Sequence, residues 1–217
     1  MNTPSRAPRL ILASSSRYRR ELLERLRLPF RVVTPELDET PLAGESPAAT
    51  ALRLAEAKAR AVAAQLAQPA PAGSAGDDTR VIVIGSDQVA TFDGRQIGKP
   101  GTHARALEQL KSMQGREVEF HSALCVYDSA SAQVQVEDIV TRVRFRSLPD
   151  AELDAYLHAE TPYDVAGSAK AEGLGIALLD AIDSDDPSAL IGLPLIALTR
   201  MLRHAGISPF SFTEARA

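Results

Sequence analysis

An apolar run, Leu10, Ile11 and Leu12, breaks at three consecutive serines, Ser14, Ser15 and Ser16, after which Arg17, Arg19 and Arg20 open a segment with leucines at 22, 23 and 26. A short apolar run before a turn signal reads as a buried strand, and leucines at helical spacing read as an amphipathic helix. The serines therefore occupy a strand-to-helix corner, and the chain begins as an α/β layer. Such a corner leaves backbone N–H groups without intrahelical partners. Arginines in a first helical turn oppose the macrodipole unless an anion lies between N–H groups, hydroxyls and guanidinium forks. A polyphosphate resolves that conflict. The plain alternative is one serine as an N-cap with solvated arginines.

The same kind of reading places other chemistry-bearing side chains. Val81, Ile82, Val83 and Ile84 read as a buried strand with Gly85, Ser86 and Asp87 at its C-terminal end, where open α/β sheets present ligands. Val89 to Phe92, the Asp93–Gly94 turn and Arg95 to Ile97 form a hairpin that returns Gly98, Lys99 and Pro100 toward Asp87. Ser46 and Pro47 start an alanine-rich helix to about Ala67, on which Leu54, Lys58, Val62 and Leu66 recur every four residues. Lys58 thus points toward the body, with snorkelling along apolar surface as the alternative. Asp38 and Glu39 are adjacent carboxylates in the loop before Pro41. Further helices are expected over 104–113, 150–158 and from Pro194 to Gly206, with longer strands over 117–127 and 134–145.

Composition narrows the function classes. A 217-residue chain with 24% charged and 45% hydrophobic residues can bury one large core, in one domain with two lobes. Residues 68–79 form a flexible Pro/Gly/Ser connector. A net charge of −4 argues against a nucleic-acid polymer as partner. No apolar run reaches the roughly 20 residues of a membrane span, and no secretory signal precedes the first strand, so a cytoplasmic location is expected. Cys125, the single cysteine, reads as a packed thiol. The four histidines are scattered without ligand spacing. Asp183, Asp185 and Asp186 read as a solvated acidic turn. Only four of the 24 basic residues are lysine, at 58, 99, 111 and 170, and a compact ammonium suits a phosphate oxygen.

The segment from Leu12 through Ser14-Ser15-Ser16-Arg17-Tyr18-Arg19-Arg20, with Asp38-Glu39, Lys58, Gly85-Ser86-Asp87-Gln88, Gly98-Lys99-Pro100, Ala166-Gly167-Ser168, Glu172-Gly173 and Gly192-Leu193-Pro194, resembles the Maf family of nucleoside triphosphate pyrophosphatases. The resemblance implies a bilobed Maf/ITPase-like α/β fold over residues 1–217, with a mixed, largely antiparallel sheet, flanking helices and a site between the lobes. It implies hydrolysis of a nucleoside triphosphate to the monophosphate and pyrophosphate, a divalent cation (Mg2+ or Mn2+), and a homodimer. Asp87 is expected to act on the attacking water, as base or as metal ligand, and Glu39 to help hold the ion. Lys58 and Lys99 are expected to neutralise the leaving pyrophosphate, and Ser14, Ser16, Arg19 and Arg20 to cradle phosphates. Tyr18, Gln88 and Glu172 resemble the subgroup acting on 7-methyl-GTP, whereas the dTTP/UTP subgroup has arginine, threonine and glutamine there. An aromatic face suits the cationic methylated guanine, and a carboxylate accepts from its N1–H and amine. Arg17 departs from the usual proline, and Ser122-Ala123 from a threonine-glycine pair. Two other readings stay open: a nucleotide-binding regulator of septum formation and cell division, and a broad house-cleaning pyrophosphatase.

Overall fold

The apolar run at the start is strand β1 (Arg9–Ala13), buried from Leu10 onward. In the computed structural model, which describes residues 8–67 and 80–212, it lies between two parallel neighbours, β2 (Phe30–Val33) and β3 (Val81–Phe92). From β3 the sheet continues antiparallel through β5 (Glu117–Asp128), β6 (Val134–Phe145) and β7 (Leu179–Asp183), and β4 (Arg95–Ile97) folds back onto the end of β3. The order is β2-β1-β3-β5-β6-β7, mixed and mostly antiparallel as expected. The expected connector at 68–79 lies outside the described residues.

Strand alternation divides the helices between faces. Leu10, Leu12, Ile82, Ile84, Leu124 and Val126 pack against leucines of α1 (Arg17–Glu24) and α5 (Leu195–His204). The intervening side chains, Ile11, Ala13, Val83, Ala123 and Cys125, point the other way, onto α2 (Pro47–Leu66). Farther along the same strands, Ala90, Val118, Phe120 and Val143 form a separate core with α3 (His103–Met113) and α4 (Asp150–Glu160). β3, β5 and β6 have twelve residues each, about 40 Å at strand rise, so they run through all three cores. Burying a leucine such as Leu22 or Leu198 contributes about 1.5–3 kcal/mol.

Gly85 sets how closely α2 approaches. A Cβ there would lie 2.1 Å from the Ala55 carbonyl oxygen and 2.9 Å from the Ala59 nitrogen. Only glycine on the strand, against alanines at 51, 55 and 59 on the helix, permits that contact.

Two expectations need correction. β3 does not end before Asp87; it continues without interruption to Phe92, so Asp87 sits in mid-strand. Asp186 is not a solvated turn charge. It is 2% exposed, and its Oδ2 accepts the Ile196 and Ala197 N–H groups while Oδ1 accepts from Ser188, which makes it a buried cap for α5.

Candidate active site

A break in the sheet edge creates the site. β5 covers one edge of β3 from Ile82 to Thr91. On the other edge β1 stops at Ala13 opposite Gly85, and β4 resumes only at Ala90. Ser86 to Val89 are left without a strand partner on that side among the described residues. The notch opens into a cleft of about 520 Å³, walled by the Ser14–Ser16 corner, the first turn of α1, Lys58 and the Gly98–Lys99 segment. Asp87, Gln88 and Val89 line its floor.

Lys58 is the centre of its charge. α2 carries it against β3, where its Nζ lies 2.7 Å from Asp87 Oδ1 and 2.8 Å from Glu39 Oε1. The Lys58 and Asp87 side chains are 6% and 9% exposed, whereas Glu39, on the loop, is 57% exposed. Removing one member of a buried pair of this kind leaves an uncompensated charge, a loss of about 3–5 kcal/mol. Snorkelling does not describe this lysine.

Arg19 approaches the same carboxylates. Its Nε donates to the Gly192 carbonyl at 2.9 Å, and Ser86 Oγ donates to the same oxygen at 3.0 Å. Burial pulls the Arg19 guanidinium below its ordinary value, opposed by Asp87 and Glu39. Its terminal NH2 groups have no protein partner among the described residues, so they are free for an anion. Ser16 caps α1 through a 3.4 Å bond from the Arg19 N–H, and Ser14 Oγ accepts the Ser16 N–H at 3.1 Å. Lys99 lines the cleft, exposed, without a partner among the described residues.

Arg20 does not join them. Successive helical residues point about 100° apart, so the inward turn of Arg19 sends Arg20 outward. There it pairs with Glu24 at 2.9 Å and lines a separate shallow groove with Leu28 and Phe30. The cradle read from the sequence loses this member.

The three residues expected to sort bases are placed differently from one another. Tyr18 lines the cleft, with the Arg17 guanidinium 4.7 Å from its ring centroid. Its hydroxyl accepts from Arg17 at 2.7 Å and donates to Asp164 at 3.4 Å. Gln88 also lines the cleft, but its amide nitrogen is directed at Ser122 Oγ and at the Ala189 and Leu190 carbonyls. Glu172 is exposed and does not line the cleft; it acts electrostatically on Lys170 and Tyr156, as Tyr18 does. Burial, first, pushes the Tyr156 hydroxyl up to about 12. Asp164 was not foreseen. It follows Pro162 and Tyr163 in an irregular loop, where no periodicity marks an aspartate for a site 146 residues away.

The donor set suits a hard cation. Asp87 and Glu39 each engage Lys58 through one oxygen, which leaves a second carboxylate oxygen on each. Mg2+ is held by one or two carboxylates plus phosphate oxygens rather than by an all-protein cage, and Mn2+ favours the same donors.

A 7-methyl-GTP pyrophosphatase of Burkholderia orbicola (strain AU 1054) is 77% identical over 213 residues, covering 98% of this chain and 97% of that protein. Proteins of the same name from Burkholderia thailandensis and Cupriavidus metallidurans are 75% identical over 213 residues and 64% over 203, covering 98% and 94% of this chain and 95% and 96% of theirs. The family model described as Maf-like protein matches residues 9–205, from the first strand past the last helix and so across every wall of the cleft, and the chain belongs to the Maf family.

Proposed function

We propose that the protein hydrolyses 7-methyl-GTP to 7-methyl-GMP and pyrophosphate. The observation that carries this reading is the Asp87–Lys58–Glu39 cluster, set across a notch from the Ser14–Ser16 corner and the open end of Arg19. Relatives over nearly the whole chain bear the name of that activity.

Phosphoryl transfer demands positioning and charge stabilisation more than covalent chemistry. The serine corner and Arg19 hold the triphosphate through N–H groups, hydroxyls and guanidinium nitrogens. Asp87 orients a water and takes its proton as the water oxygen bonds to the α-phosphorus. The bond from that phosphorus to the bridging oxygen breaks, and its electron pair leaves with pyrophosphate. Lys58 and Lys99 balance the charge that grows there. Glu39 and Asp87 are the residues that would hold a divalent ion, Mg2+ or Mn2+, which would supply further neutralisation. Tyr18 offers the methylated base a ring face, and Gln88 and Glu172 complete its discrimination from other bases. A cytoplasmic homodimer completes the proposal, on family grounds, and sedimentation of the purified chain tests the dimer.

Pyrophosphate release is measured side by side for 7-methyl-GTP, GTP, dTTP and UTP with Mg2+ or Mn2+. Turnover should be fastest for 7-methyl-GTP, and Asp87→Asn should lower it by roughly 10²–10⁴-fold with the fold intact. Equal turnover of all four favours the broad house-cleaning enzyme. Tight binding without turnover at either ion favours the division regulator. An Asp87→Asn protein that keeps most of its activity removes Asp87 from the chemistry.

A further inference from the structure

The histidines are not all scattered in space. His103 opens α3, while Asp154 and His158 stand one turn apart on α4 and share a face. Packing of the two helices brings His103 Nε2 to 2.8 Å from Asp154 Oδ1 and leaves His158 Nε2 at 3.6 Å from Asp154 Oδ2. The two imidazoles lie 4.6 Å apart between centroids, and one donor atom from each of the three residues lies within 4.8 Å of the others. Around a tetrahedral ion with bonds of about 2.0–2.1 Å, donors stand about 3.3 Å apart, and the three side chains lie close enough to converge on one ion.

A second feature prepares one imidazole as a ligand. His103 Nδ1 lies 3.1 Å from the Tyr163 hydroxyl, which itself donates to the Leu157 carbonyl at 3.3 Å. With the phenol proton directed to Leu157, the Tyr163 oxygen accepts from His103 Nδ1–H. Nε2 faces Asp154 Oδ1, which only accepts, so without an ion it donates to that carboxylate, and a bound ion would take the place of that proton. Metal-binding histidines are held in this way, with the remote N–H engaged by a fixed acceptor.

We propose that His103, Asp154 and His158 form a binding site for one borderline divalent transition ion of the Zn2+ type, separate from the hard-cation donors in the cleft. Two nitrogens and one carboxylate match such an ion better than Mg2+. The site is half-exposed, open to an incoming ion and to a water as fourth ligand. It also lies on the frame of the cleft. His103 is four residues past Lys99, Tyr163 immediately precedes Asp164, and the Gly101 N–H donates to the Tyr163 carbonyl at 3.0 Å. A bound ion would tie together the helices next to the loops that carry Lys99 and Asp164. The inference does not depend on the reaction proposed for the cleft.

The test is Zn2+ titration of the full chain against a chromophoric chelator, with Mg2+ in large excess to occupy hard-oxygen sites. One Zn2+ equivalent per chain should bind, with affinity lowered at least tenfold in both His103→Ala and His158→Ala and retained in Glu39→Gln. His158 is 71% exposed, so its truncation leaves the fold undisturbed. The proposal is overturned if the wild-type chain shows no saturable Zn2+ binding, if the equivalent survives both histidine substitutions, or if Glu39→Gln abolishes it.

Discussion

At the scale of single residues, Lys58 shows how much a side chain's meaning depends on its neighbours. Its four-residue spacing from Leu54 and Val62 was enough to point it inward, but not to choose between a methylene stem over apolar surface and an ion pair. Two carboxylates from different loops and strands decided for the pair. Tyr18 has the opposite history: its position in the cleft was foreseen, its partner Arg17 was not. The Arg17 guanidinium lies 4.7 Å from the ring centroid. Replacing the ring in Tyr18→Arg should lower kcat/KM for 7-methyl-GTP by roughly 2–30-fold more than for GTP or UTP, the equivalent of a cation–π contact of about 0.5–2 kcal/mol. An equal loss for every nucleotide would take Tyr18 out of base recognition.

At the scale of elements, the close contact between α2 and β3 positions Lys58. Gly85→Ala would drive a methyl into the Ala55 carbonyl, since the built Cβ lies 2.1 Å from that oxygen. Overpacking of this kind costs about 1–3 kcal/mol, and backbone contact places it at the upper end. Urea unfolding should show that loss, accompanied by reduced activity as α2 retreats and Lys58 leaves Asp87. The loop before α2 is anchored by Glu45, whose carboxylate receives Arg53 Nε at 2.7 Å and NH2 at 2.8 Å, the Thr50 hydroxyl at 2.9 Å and the Leu42 N–H at 3.0 Å. Arg53, first, draws the Glu45 carboxyl down to about 2 from its ordinary 4.5. The folded value is depressed, so the stabilisation is fully present above about pH 4.5 and disappears as pH falls toward about 2. Denaturant midpoints at pH 7 and pH 3 should therefore converge between wild type and Glu45→Gln as the pH drops. A constant difference across that window would deny Glu45 this role.

At the scale of the whole molecule, the three cores share strands. Because β3, β5 and β6 run through all of them, no core can lose its strands without the others. Heating should give one cooperative transition by circular dichroism and by tyrosine fluorescence; two resolved steps would mean that the cores unfold separately. A non-hydrolysable triphosphate analogue with Mg2+ at about 100 times its Kd adds about 2.7 kcal/mol and should raise Tm by roughly 5–10 °C in a chain of this size. An unchanged Tm would argue that the cleft does not hold the polyphosphate.

The strand-to-helix corner, the inward lysine and the hairpin carrying Lys99 were legible along the chain, because periodicity, turn chemistry and capping act over a few residues. Family motifs added the mixed sheet and the reaction class. What the linear order could not supply was which distant groups meet. Asp87 lies at a notch only because β1 and β4 leave a gap along β3, Arg20 is excluded by the rotation of α1, and Glu172 stands outside the cleft wall. His103 meets Asp154 and His158 only because α3 packs on α4. Strand register and helix packing are settled by burial of whole apolar faces, so contacts of this kind exist only once the chain has folded.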